Sequence, residues 1–417
     1  MPKVKKSASA APLQALCEQL RGQFPEKLMD LRLSHGDARA GLYQPSGTVA
    51  SAPLSQAPDY DVGCIQTLLE GLALALLCQE RVLDPDAMIG QYLPELNWDD
   101  VRAPGRRIRV RDLASHATGY HAPSGVAGEA GFDDWEAIVA YFRATPETFP
   151  PGQVCSWNGL GRSLLGPLVQ RVTGRRLHEI VRARVRELGG FDPVISGEDS
   201  GWPAVLVSLD DLERFLLAAM GPGGPISDLP TRLPAESVSV VRRPLSARSG
   251  NPIAYGFGVA QFADGLWGQS GNGRTYTMGL RFDLTMTLLT TLALGAPPFA
   301  RDLVLQYLAG ACGFMRQPAP SDVLGAIVSC SLDDLPGVYV GDYGDAVDVT
   351  TGGQDLRCAV SRRGEVLATI PMSATQDGVL IGNGRWNAFQ FEFFPHPETG
   401  RPCLMLGQIA YVQVDPR

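Results

Sequence analysis

Residues 59–83, DYDVGCIQTLLEGLALALLCQERVL, constrain this chain more than any other stretch. They read as a strand end, a tight turn at Gly63 and then a long apolar helix. Leu68, Leu69, Leu72, Leu76 and Leu77 recur at three- and four-residue spacing, and Ala73 and Ala75 keep the helix slim. A helix apolar on nearly every side has no face for water, so it belongs inside a large core. Its clearly polar residues, Glu70, Gln79, Glu80 and Arg81, lie mostly at the far end. Cys64 falls in the first turn, where unpaired N–H groups and the positive end of the helix dipole favour a thiolate or a bound anion. A small thiol packed at a helix start is the simpler reading of this window alone.

Four later segments extend the pattern: LDPDAMIGQYLPEL at 83–96, IRVRDLASHATGY at 108–120, PGQVCSWNGLGRSLLGPLVQRVTG at 151–174 and WGQSGNGRTYTMGL at 267–280. In this order and spacing the chain resembles the penicillin-binding-protein-like serine hydrolases, which include class C β-lactamases, DD-peptidases and related esterases. That family opens its central helix with GSxSK. It continues with LxxYLPE, LLSHTSG and PGxxxxYSNxGYxLLGxxxExxTG, and ends on a late HxG or KTG. The resemblance covers roughly residues 30–300. It implies an α+β fold, with an antiparallel sheet flanked by helices beside an all-helical lobe.

The resemblance also implies where the chemistry would sit. The nucleophilic Ser falls on Cys64 and the family Lys on Thr67. The family Tyr falls on Trp157 and its Asn on Gly159, with Asn158 adjacent. The late His or Lys falls on Gln269, leaving Ser270 and Gly271 in place and Asn272 beside them. Tyr120 and His121, just after the SHATG loop, are further candidate ligand contacts. His116 in that loop reads as structural.

A count independent of the alignment supports loss of the family mechanism. The four lysines are Lys3, Lys5, Lys6 and Lys27, and every later strongly basic residue is Arg. A guanidinium does not deprotonate near neutral pH, so no side chain of that type beyond residue 27 can activate a nucleophile or form a Schiff base. The backbone N–H groups of Cys64 and of the strand after Gly271 would still form an oxyanion site. The base is what is missing. Trp157 replaces a phenol with a bulky indole, which donates one hydrogen bond and offers a stacking face.

The chain divides into an N-terminal segment (1–27), a β-lactamase-like domain (28–316) and a C-terminal domain (317–417). In the first, residues 13–24 read as a short amphipathic helix. The last carries about eight short alternating segments, expected to form a small antiparallel β-barrel or sandwich like the lipocalin-like tails of many relatives. Elsewhere we expect a hairpin near 28–43, a polar turn and short helix at 83–96, and helices at 108–114, 133–143, 160–172, 176–188 and 300–313. Asp210 and Asp211 read as caps of a helix running to about 216. Strands are expected at 255–262, 266–270, 275–282 and 286–294.

The formal net charge of −8 excludes a basic field for nucleic acid or an anionic membrane. Eight scattered cysteines and five dispersed histidines form no metal motif, and no cofactor is expected. The basic residues 1–12 are not followed by an apolar run of signal length, so a cytoplasmic location with reduced thiols is expected. The expected partner is a small-molecule ligand or substrate; oligomeric state is left open. Two functions stand against each other. One is a catalytically degenerate protein that binds or steers a small molecule, by analogy in a secondary-metabolite pathway. The other is an unconventional enzyme, with Cys64 in acyl or thioester transfer or hydrolysis, or with non-covalent cyclisation. A pure interaction module is a third reading without specific support.

Overall fold

The computed structural model describes residues 10–23, 28–35, 38–122, 134–196, 204–221, 223–225, 254–261, 267–270, 278–281, 288–294, 325–328, 330–352, 355–362, 364–374, 380–382, 391–406 and 409–416. Helix α1 (Ala10–Gln23) lies along a hairpin of β1 (Met29–His35) and β2 (Ala38–Gln44). Strand β3 (Tyr60–Asp61) leads through a 3-10 turn, Gly63–Ile65, into α2 (Gln66–Gln79). Every residue of α2 from Gln66 to Leu77 is buried, as an all-round apolar helix requires. Cys64 thus sits on the tight turn before the α-helix and not inside its first α-helical turn.

The short helix expected at 83–96 is instead two 3-10 turns, Ile89–Gln91 and Pro94–Leu96. Pro94 has no N–H with which to continue a helix from the first turn into the second. Helices α3 (Val110–Ala114), α4 (Trp135–Ala144), α5 (Leu160–Thr173) and α6 (Leu177–Gly189) follow close to expectation. Gly174, at φ 71°, stops α5 in the left-handed conformation that glycine adopts without cost. Strands β4 (Val194–Ser196) and β5 (Ala204–Val207) then precede α7 (Leu209–Met220). The α7 cap differs from expectation: Ser208 accepts the hydrogen bond from Asp211 N–H. Asp210 reaches instead to Arg32 on β1, which also pairs with the buried Asp30.

Strands β6 (Ala254–Gly256), β7 (Val259–Gln261), β8 (Trp267–Ser270) and β9 (Met278–Arg281) form an antiparallel sheet in sequence order. The single strand expected at 255–262 is folded into a hairpin, because Phe257 and Gly258 both take positive φ. Strand β9 lies against β10 (Leu288–Leu294), which pairs with β1 in the order β10-β1-β2. A third small sheet is ordered β3-β5-β4. The main core gathers α2 with residues of α3, α5, α6 and α7. The helix expected at 300–313 lies outside the described residues.

In the tail, β11 (Gly325–Val328) is followed by β12 (Gly337–Val340), β13 (Asp345–Gly352), β14 (Asp355–Arg362) and β15 (Glu365–Ala374). Then come β16 (Leu380–Gly382), β17 (Phe391–Pro395), β18 (Pro402–Leu406) and β19 (Ile409–Pro416). The eight strands β12 to β19 are ordered β16-β15-β14-β13-β12-β19-β18-β17. The first and last of them pair, as in a barrel, but the consecutive strands β16 and β17 do not. The gap between them is spanned only by β11, with two residue pairs to each side and parallel to β17. The closed lipocalin-like barrel expected from sequence is therefore corrected to a curled, open sheet, a half-barrel. Alternation of side chains reveals strands, but closure depends on register and shear, which alternation does not encode.

Candidate active site

The position of the family Lys and that of its late His or Lys do come together. Gln269 on β8 lies 2% exposed, and its Nε2 donates to Thr67 Oγ1 at 3.3 Å and to Tyr255 Oη at 2.6 Å. Tyr255 in turn lies 3.4 Å from the Gly258 carbonyl. The result is a buried chain of neutral groups, Thr67–Gln269–Tyr255. The turn that carries Cys64 packs against β8, and Thr67 follows it in the first turn of α2. The Cys64 side chain lies outside the described residues, as do the Ser270 side chain, Gly271 and Asn272.

Two glycines permit this assembly. A Cβ on Gly258 would stand 2.0 Å from the Thr67 carbonyl oxygen, and one on Gly71 would stand 1.9 Å from that of Phe257. The hairpin turn between β6 and β7 thus lies with its backbone directly on the backbone of α2. That contact brings Tyr255 to the helix start.

Trp157 closes the aromatic side. Its ring lies 5.5 Å from His116, whose other neighbour is Tyr255 at 5.0 Å, edge-on. His116 takes φ 51° and is buried, with Nδ1 2.9 Å from the Asn158 carbonyl. A carbonyl only accepts, so Nδ1 carries the proton and the neutral ring presents Nε2 as an acceptor. Burial pushes the His116 pKa down to about 4, against the smaller opposing effect of that hydrogen bond. His116 is therefore neutral at physiological pH. The Trp157 Nε1 and His116 Nε2 atoms are both buried without a hydrogen-bond partner among the described residues.

The remaining candidates are placed elsewhere. Gly159 is the residue at the N-terminus of α5, and the adjacent Asn158 caps Leu160 N–H at 3.0 Å. Asn158 also donates to the Tyr120 carbonyl at 3.2 Å. Tyr120 packs edge-on against Phe142 in the main core, and burial pushes its pKa up to about 12. His121 packs on Phe149, and burial lowers its pKa to about 4. It has no link to the Thr67–Gln269–Tyr255 chain among the described contacts.

Sequence reasoning missed Tyr255 and the tail residues behind it. Tyr255 read only as a strand start, and its one signal was the Tyr-Gly-Phe-Gly run, whose two glycines mark a close backbone approach. Phe394, Cys403, Met405 and Ala410 of the tail cluster with Phe149, Val154, Cys155 and Tyr255, and Trp157 packs on this group. The tail sheet is thus the rear wall of the aromatic side.

Among the described residues no group of three or more His, Cys, Asp or Glu side chains could hold a metal ion, and no helix is long and apolar enough to cross a membrane.

A buried central helix, the sheets β10-β1-β2 and β6-β7-β8-β9, and a group of packed helices are the architecture of the penicillin-interacting serine hydrolases. The β-lactamase family model matches residues 60–311, and the chain belongs to that family. It is 29% identical over 137 residues to a putative D-alanyl-D-alanine carboxypeptidase of Escherichia coli K12. That match covers 30% of this chain and 32% of the relative, so the chain spans about a third of the curated protein's length. Among solved structures, SurE with D-Leu superposes with a TM-score of 0.67 at 17% identity, over 97% of this chain and 99% of that one. The octameric penicillin-binding protein homologue from Pyrococcus abyssi gives 0.55 at 16% identity, over 97% and 100%. The D-amino acid amidase of Ochrobactrum anthropi complexed with D-phenylalanine gives 0.54 at 13% identity, over 73% and 98%. At these identities the structural likenesses speak for the fold.

Proposed function

We propose that this protein holds a D-configured amino acid amide or peptide in the family cleft without forming an acyl-enzyme, and binds or steers it there. The observation that carries this reading is the neutral chain Thr67–Gln269–Tyr255, whose first two members stand where the resemblance puts the family Lys and its late His or Lys. None of those three groups takes a proton from a nucleophile near neutral pH. What supports an amide ligand is the unmatched donor and acceptor at Trp157 Nε1 and His116 Nε2, the two functions an amide supplies together. The D configuration is proposed from two matched structures whose names carry D-Leu and D-phenylalanine. A cytoplasmic place in a biosynthetic pathway belongs to the same proposal and rests on analogy alone.

The retained sulfur at Cys64, on a turn opening a helix, favours a second reading, covalent acyl or thioester transfer. Calorimetry with D-phenylalanine amide and with its L enantiomer tests the first. Trp157→Ala should weaken binding of the D form by about 2–3 kcal/mol, roughly 30- to 150-fold, through loss of the aromatic wall. Cys64→Ala should leave it within about twofold. Preferential alkylation of Cys64 by iodoacetamide, together with loss of function in Cys64→Ala at unchanged affinity, would establish the covalent reading instead.

Turnover of a chromogenic cephalosporin should not exceed that of heat-denatured protein. Cys64→Ser should not create activity, since a hydroxyl without a base stays protonated. A rate clearly above the control in either protein would refute the loss of the family mechanism.

A further inference from the structure

We propose that Asp342, in the C-terminal domain, is a positioning residue for the cleft: it fastens the segment Ser156–Trp157–Asn158 to the tail sheet and so sets the place of Trp157. This rests on the reading of Trp157 as a wall of the binding site. Asp342 lies in the turn between β12 and β13 and is fully buried. Its Oδ1 accepts from Ala122 N–H at 2.6 Å and from Asn158 Nδ2 at 3.0 Å, and its Oδ2 accepts from Ser156 Oγ–H. Ser156 Oγ accepts in turn from Ala410 N–H of β19 at 3.1 Å. The two residues flanking Trp157 are therefore both held by one carboxylate from another domain. A second tie joins the tail to the stretch just upstream: His396 Nε2 donates to the Thr148 carbonyl at 2.8 Å, and its ring stacks on Phe149 at 5.2 Å.

The arrangement has the mark of an anchor and not of a tail-folding contact. Among the described residues all three donors to Asp342 come from the β-lactamase-like domain, and none from the tail. Removing the carboxylate leaves a backbone N–H, an amide N–H and a hydroxyl buried together without an acceptor, each a costly loss.

Titration adds a signature. Burial pushes the Asp342 pKa up to about 7, opposed by its three hydrogen bonds. The charged and titratable groups facing it are Asp345 beside it, which is paired with Arg362, Tyr141 on α4 and Tyr411 on β19. The folded pKa is above the ordinary 3.8, so the folded form holds the proton more tightly than the unfolded chain. This contribution to the anchor is fully present below about pH 4 and is lost as pH rises through about 7.

Hydrogen exchange of the full-length chain, corrected for intrinsic rates, tests the assignment without any ligand. In Asp342→Ala, amides of residues 153–160 should exchange at least about tenfold faster, while those of β13 and β14 keep their protection. Asp342→Asn keeps an acceptor for two of the three donors and should stay within about threefold of the parent. It should also abolish the loss of protection expected of the parent between pH 5.5 and pH 8. Ser156→Ala, which cuts the contact from the other side, should speed exchange of the same peptide and covers the case in which Asp342→Ala does not fold. Unchanged exchange at 153–160 in both Asp342→Ala and Ser156→Ala would overturn the proposal. So would equal loss of protection in β13 and β14, which would make Asp342 a residue of tail stability alone. The outcome is separate from ligand binding: a protein with the anchor and no affinity for the D-amide would refute the site reading only.

Discussion

Arg162→Ala should lower the stability of the β-lactamase-like domain by about 3–5 kcal/mol, about 10 °C in melting temperature. Arg162 on α5 forks onto Glu70 in the middle of α2 with contacts of 2.6–2.9 Å, and both side chains are almost wholly buried. Glu70 also accepts from Gln66 at 3.1 Å. Without the guanidinium its carboxylate is left in the core with only a neutral donor, which is far more costly than never having placed a charge there. The joint replacement of Glu70 by Leu and Arg162 by Met should therefore lose much less than Arg162→Ala alone. Calorimetric melting of the three proteins checks this, and a single variant as stable as the parent would show that the pair carries no weight.

Gly71→Ala should destabilise by about 1–3 kcal/mol or more, although the same change in an exposed helix interior stabilises by up to about 1 kcal/mol. The new methyl would have to stand 1.9 Å from the Phe257 carbonyl oxygen, a backbone atom that no rotamer change can move aside. The helix and the β6–β7 hairpin must part, and the hydrogen bond from Gln269, on the adjoining β8, to Thr67 of α2 is stretched with them. Denaturant titration gives the size and sign; a stabilised variant would contradict the backbone contact.

Much of the fold was legible because its signals are local. The spacing of leucines located α2, and Gly174 located the end of α5. The pairing of Thr67 with Gln269 lies 202 residues apart in sequence, and only the spacing of family motifs brought them together before the structure did. Tyr255 and Asp342 were not legible. A tyrosine opening a strand and an aspartate in a Gly-Asp-Tyr turn look like ordinary packing and turn residues. Their roles come from partners elsewhere in the chain, and no local pattern names a partner. The open edge of the tail sheet was missed for the same reason, since strand alternation is local and the pairing of β16 with β17 is not. The cap of α7 went wrong by three residues at most, yet the misreading hid the tie from Asp210 to Arg32.

The neutral chain Thr67–Gln269–Tyr255 also bears on whether this lineage has a way back. Each group is buried and hydrogen-bonded to the next, so changing one disturbs its neighbours. Placing an ammonium at position 67 alone would bury a charge against the Gln269 amide, with the Glu70 carboxylate of the same helix already paired to Arg162, at a cost of several kcal/mol. Returning a phenol to position 157 alone would add a group with no cation to tune it. A panel restoring one family residue at a time should contain less stable proteins and no new turnover. Under the proposed function every single step toward acyl transfer is uphill before any benefit arrives, so such a cleft would behave as a ratchet: selection would refine it as a receptor far more readily than it would rebuild an enzyme.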